Sequence, residues 1–162
     1  MRYVLVDRIT SLTPGRTLRA IKNVSAGDGM VTRYAPGMWM LPASMVLEAM
    51  AQAAGLLVIA TTGGAALPVL AKVRPFTVFA DAVPGDQVCL EAQLEELGHG
   101  GCRAGVTAAV DGRPLAAATL YLALVPLDGP ESAAARSAPL RAALGDAFPD
   151  WFGARGIEEG RQ

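Results

Sequence analysis

The chain carries a single histidine, His99, in 162 residues. Any mechanism or metal site that needs two imidazoles from one chain is thereby excluded. Cysteine is almost as scarce: Cys89 and Cys102 are too few for a disulfide scaffold and lack metal-ligand spacing. No metal and no cofactor is expected. Charge is thin and balanced, with 14 basic and 15 acidic residues and a formal net charge of -1, so nothing electrostatic points to nucleic acid. Apolar runs are also limited. Residues 45–60 are interrupted by Glu48 and Gln52 and fall short of the roughly 18 residues of a membrane span. Asp7 and Arg8 interrupt the place where a signal peptide's apolar stretch would run, so a cytoplasmic protein is expected.

What remains is 52% hydrophobic and 18% charged, enough for one domain with a sizeable core. Residues 3–6 are short, apolar and β-prone. Thr13-Pro14-Gly15-Arg16 reads as a turn, and residues 18–24 alternate as a half-buried strand does. Residues 33–41, RYAPGMWML, contain Pro36 and Gly37 and read as an irregular loop. Pro42 suits a first helical turn, and the helix formers from Ser44 to about Ala60 follow it. That helix is apolar on nearly every face, which predicts burial on all sides. Glu48 and Gln52, four apart, share one face.

Four strand-like runs follow the helix: residues 69–79, 87–97, 102–110 and 115–125. Arg74-Pro75 marks an edge or bend in the first. Gly98-His99-Gly100-Gly101 and Asp111-Gly112-Arg113 read as hairpin loops. The pattern predicts an α+β fold in which a curled antiparallel sheet wraps one apolar helix. Ala49, Ala51, Ala53, Ala54 and Gly55 keep that helix thin. The domain is expected over residues 1–126. The tail, 127–162, reads either as a short helix near 139–147 or as a loose segment docked by Phe148, Trp151 and Phe152.

The segment YAPGMWMLPASMVLEAMAQAAGLL, with Pro36-Gly37, Leu41-Pro42 and Glu48-Ala49-Met50-Ala51-Gln52 at their spacings, resembles the core signature of the β-hydroxyacyl-(acyl carrier protein) dehydratases. VDRITSLTPGRTLRAIKNVS resembles their opening, and VPGDQV at residues 83–88 resembles their turn into a long strand. The likeness spans roughly residues 3–125. It implies the hotdog fold, a dimer whose sites form between protomers, and acyl thioesters on acyl carrier protein or coenzyme A as ligands.

In that family a histidine fourteen residues before the helix glutamate removes the α-proton of a 3-hydroxyacyl thioester. The glutamate, from the other protomer, helps the hydroxyl leave as water. By this likeness the glutamate is Glu48, the histidine position is Tyr34, and the glycine whose N–H faces the thioester carbonyl is Ala43. Histidine titrates near about 6.5 and exchanges protons at neutral pH, whereas tyrosine, near about 10, is a poor base but a usable donor. The ordinary histidine–glutamate pair is therefore absent.

His99, in a Gly-rich loop, reads as an exposed loop residue. Glu48 has two readings: a carboxylate tolerated at a helix end, or one at an apolar tunnel wall with a raised pKa that moves protons. Gln52 orients the helix or a loop. The N–H groups of Gly37 and Ala43 are expected to polarise the carbonyl. Met38, Trp39, Met40 and Met45 line an acyl tunnel or pack a core or dimer contact. Arg33, Lys72 and Arg74 either face an acidic carrier protein or are plain surface charge. Both cysteines are expected to be buried and inert.

Three functions fit. The first is a 3-hydroxyacyl thioester dehydratase with a non-standard site, in fatty-acid or polyketide-type metabolism. The second is a non-catalytic or half-catalytic subunit that pairs with an active hotdog partner. The third is an acyl thioesterase.

Overall fold

The computed structural model describes residues 4–126. The readings for residues 127–162 lie outside them. Eight strands and one helix are present among the described residues: β1 (Arg8–Thr13), β2 (Thr17–Asn23), β3 (Thr32–Ala35), β4 (Met38–Met40), α1 (Ala43–Thr61), β5 (Ala66–Val78), β6 (Gln87–Leu97), β7 (Gly101–Val110) and β8 (Arg113–Pro126). Six form one antiparallel sheet in the order β1-β2-β6-β7-β8-β5, and β3 and β4 form a separate hairpin. The architecture is the expected α+β hotdog, with the sheet curled over α1.

Alternation explains the sheet's two faces. Val88, Leu90 and Ala92 of β6, Ala104, Val106 and Ala108 of β7, and Leu120 and Leu122 of β8 are buried. Their opposite neighbours face outward. Beneath them lie Val46, Ala49, Met50, Ala53, Ala54, Leu56, Leu57 and Val58 of α1. The turns obey local chemistry. Asp111 and Gly112 both have positive φ, 49° and 77°, as a two-residue hairpin of the primed type requires.

Four expectations need correction. The apolar residues 3–6 do not give a strand: among those described, Leu5 and Val6 are buried outside any strand, and the edge strand is the more polar β1. Its Ile9/Ser11 bulge and polar sequence hide it from a pattern search. Residues 33–41 are not an irregular loop. Ala35 pairs with Met38 across Pro36-Gly37, and Gly37 takes φ 79°, the positive value that a proline–glycine turn asks of its second central residue.

The helix is not buried on all sides either. One sheet covers one flank, while Leu47, Ala51, Gly55 and Ile59 stay half-buried on another. Although α1 is 19 residues long with a mean hydropathy of 1.7, it is the core helix of this sheet. Finally, Cys89 is exposed, because Val88 and Leu90 take the inward positions beside it. Cys102 is buried, and that burial pushes its thiol above the ordinary value, against a smaller opposing effect of a hydrogen bond with the Leu122 backbone.

Candidate functional site

Glu48 is the sixth residue of α1, and its carboxylate is exposed. Gln52, one turn on, donates from Nε2 to Glu48 Oε1 at 3.1 Å. The amide's oxygen is also engaged: Gln52 Oε1 accepts the Leu5 N–H at 2.8 Å. The buried Leu5 backbone therefore sets the orientation of the amide, and the amide steers the carboxylate. The expected tunnel wall does not enclose this carboxylate within its own chain, where Glu48 is exposed.

Pro42 precedes the helix rather than opening it, with φ -56° and ψ 145°. No side chain caps the helix, and its first turn holds no acidic residue. Met45 and Val46 both donate to the Pro42 carbonyl, at 2.8 and 3.1 Å. The N–H of exposed Ala43 thus begins the positive end of the helix dipole, without a carboxylate competing for it.

Tyr34 does not touch this group. Its side chain projects from β3 and is 74% exposed. Across the hairpin, Met38 and Trp39 are exposed as well, Trp39 by 47%. An open groove of about 400 Å³ runs beside them, lined by Gly37, Met38, Trp39, Met40, Asp81, Val83 and Pro84. Asp81 also borders a second, much smaller space that reaches Ala43 and Val46 at the start of α1. Leu41 donates to the Ala82 carbonyl at 2.8 Å and ties the two walls together. Sequence reading missed Asp81. It sits just before the Val83–Asp86 turn, whose proline and glycine dominate the local signal.

His99 is exposed and lies at the other end of the molecule. β6 starts beside Val24, where Val24 donates to the Asp86 carbonyl, and runs toward the end of the helix. There Gly15, next to the Thr17/Gln93 pair, donates to Thr61 Oγ1. The His99 loop lies beyond that pair, and Glu48 is about 20 Å back along the helix axis at 1.5 Å per residue. The reading of His99 as an exposed loop residue agrees with its exposure.

One helix under a curled six-stranded antiparallel sheet, with a carboxylate on the helix and a groove at its start, defines the class: a hotdog protein. A family model for the FabA-like domain matches residues 1–119. The chain is 36% identical over 124 residues to the 3-hydroxyacyl-(acyl-carrier-protein) dehydratase FabZ of Klebsiella pneumoniae, covering 75% of this chain and 82% of that one. The enzyme of the same name from Salmonella arizonae matches to the same extent. The chain belongs to the FabA-like dehydratase family.

Solved structures share the fold at low identity. The smu.793 protein of Streptococcus mutans, bound to acetyl CoA, superposes with a TM-score of 0.64 at 16% identity, over 78% of this chain and 94% of that one. A hypothetical thioesterase of Streptococcus pneumoniae with coenzyme A gives 0.62 at 14% identity, over 75% and 88%.

Proposed function

We propose that the protein binds 3-hydroxyacyl thioesters and eliminates water from them, as a dimer in the cytoplasm, in fatty-acid or polyketide-type metabolism. The observation that carries this reading is the steered carboxylate of Glu48 beside an uncapped helix start. Glu48 takes the α-proton, and the electron pair forms the new carbon–carbon double bond. The β-hydroxyl leaves with a proton from the Tyr34 phenol of the other protomer, giving water and an enoyl thioester. Solvent returns the proton from Glu48 to Tyr34. The N–H groups of Ala43 and Gly37 polarise the thioester carbonyl, where charge develops. Trp39 and Met40 hold the acyl carrier arm, delivered by acyl carrier protein or coenzyme A, in the groove.

The dimer rests on β5. It is the last strand of the sheet, its outer edge is unpaired among the described residues, and Leu67, Val69, Leu70, Val78 and Phe79 are exposed along and just after it. Such an edge is a template for a second strand. Gly55, in the half-buried helix stripe, lies beside Pro68 of β5, so the strand and the stripe form one continuous apolar face.

A second reading draws on the position of His99. With the only imidazole at the far end, the chain fits a half-catalytic subunit that lends Glu48 to a hotdog partner bearing its own histidine.

An acyl-thioester panel on the purified chain, following both double-bond formation and thiol release, separates these readings. Dehydration by the chain alone is expected, with Glu48→Gln lowering it by about 10²–10⁴-fold and Tyr34→Phe lowering it less. Tyr34→His is expected to raise it. Unchanged turnover in Glu48→Gln overturns the mechanism. Activity only on mixing with a second hotdog chain favours the subunit reading, and thiol release alone points to hydrolysis.

A further inference from the structure

We infer that this site selects short acyl groups, with Val46 and Leu115 as the stop. The inference rests on the acyl-thioester reading above and names which thioesters the site takes. The groove beside Trp39 and Met40 is roomy, at about 400 Å³. A second space, which shares Asp81 in its lining and includes Ala43 at the reacting end, holds only about 10 Å³, close to the room for one water. Leu41, Ala43, Val46, Val78, Ala80, Leu115 and Ala116 wall it, together with Asp81 and Ala82.

That narrowing is built into the core. Val46 is 5% exposed and Leu115 1%, and both belong to the main hydrophobic cluster. The Leu115 carbonyl accepts the N–H groups of Phe79 at 2.8 Å and Ala80 at 3.3 Å, which fixes this part of β8 against the segment after β5. A long acyl chain that passes Ala43 has to displace close-packed side chains, and such interiors yield little. A short acyl group ends before them. The wide groove then takes the carrier arm and the narrow space takes the tip of the acyl group.

The test uses the full chain and 3-hydroxyacyl-pantetheine thioesters of four, eight and twelve carbons. Binding of the matching non-cleavable thioethers is measured in parallel by calorimetry. The four-carbon substrate is expected to exceed the twelve-carbon one by about tenfold or more in kcat/KM, with the same order in binding. Val46→Ala and Leu115→Ala are expected to shift both profiles toward eight carbons. Ala116→Val, which fills the space, is expected to weaken even the four-carbon ligand. If Leu115→Ala fails to fold, Val46→Ala carries the same test.

A wild-type preference for twelve carbons, or a flat profile with clear binding, overturns the inference and leaves the acyl-thioester reading standing. An unaltered profile in folded Val46→Ala does the same. No binding at any length overturns the reading itself, and the inference with it.

Discussion

Lys22 is the one buried charged residue among those described, at 6% exposure, and it owes its place to two carboxylates. Its Nζ lies 2.8 Å from Asp28 Oδ2 and 3.7 Å from Asp7 Oδ1. The hydrogen bond from Lys22 is the main reason the Asp28 carboxyl sits below its ordinary 3.8; partial burial opposes it, and the Met30 N–H adds to the lowering. Together these contacts pin the 24–31 loop that delivers the chain to the Tyr34 hairpin. Because the folded pKa is depressed, the contribution is complete above about pH 4 and disappears as pH falls through the folded value. Asp28→Asn is therefore expected to cost about 1–3 kcal/mol near neutrality, read as a lower urea midpoint, with the gap from wild type closing in acid. Nothing in the spacing of Asp7, Lys22 and Asp28 announces this cluster, since Asp7 reaches Lys22 across the β1–β2 pairing and Asp28 folds back on it from the loop after β2. The Glu48–Gln52 contact is different. Four residues apart on a helix, the two side chains were bound to be neighbours, and only the Leu5 N–H that orients the amide needed the fold.

At the scale of elements, α1 was readable from its alanines and its breaker glycines. Gly63 and Gly64 take φ of 61° and 79° just past its end, and Gly64 donates back to the Ile59 carbonyl at 2.9 Å, closing the last turn. The alanines matter by what they leave out. Ala53 and Ala54 are both fully buried, so the helix axis lies close under the sheet. Ala53→Leu is expected to destabilise by about 1–3 kcal/mol through overpacking, a loss visible in thermal or urea unfolding. The β3–β4 hairpin was not readable as strand. Its residues are exposed, its span is short, and proline and glycine at its turn are the usual marks of a loop. The strands with clear alternation, β6, β7 and β8, were legible because one face of each is buried and the other wet. β1 lacked that contrast and was missed.

At the scale of the whole molecule, one apolar face stays open among the described residues. The β5 edge, the half-buried helix stripe and the exposed Tyr34 and Trp39 leave apolar surface where a soluble protein ordinarily buries it. Introducing charge at this edge, as in Val69→Lys with Leu70→Glu, is expected to shift the chain from dimer to monomer in analytical ultracentrifugation while the circular dichroism spectrum holds. A dimer unmoved by both changes would place the contact elsewhere. The sequence by itself determined the fold class, the family and the identity of the helix carboxylate, because buried–exposed alternation, helix-forming runs and motif spacing are local properties of the chain. It also carries the expectation, by motif spacing, that Tyr34 occupies the family's histidine position. Only the tertiary structure decided that His99 and Glu48 occupy opposite ends, that Asp81 borders two spaces, and that Val46 and Leu115 wall one narrow space. Those relations connect residues tens of positions apart, and they exist only once a helix and a curled sheet have closed on each other.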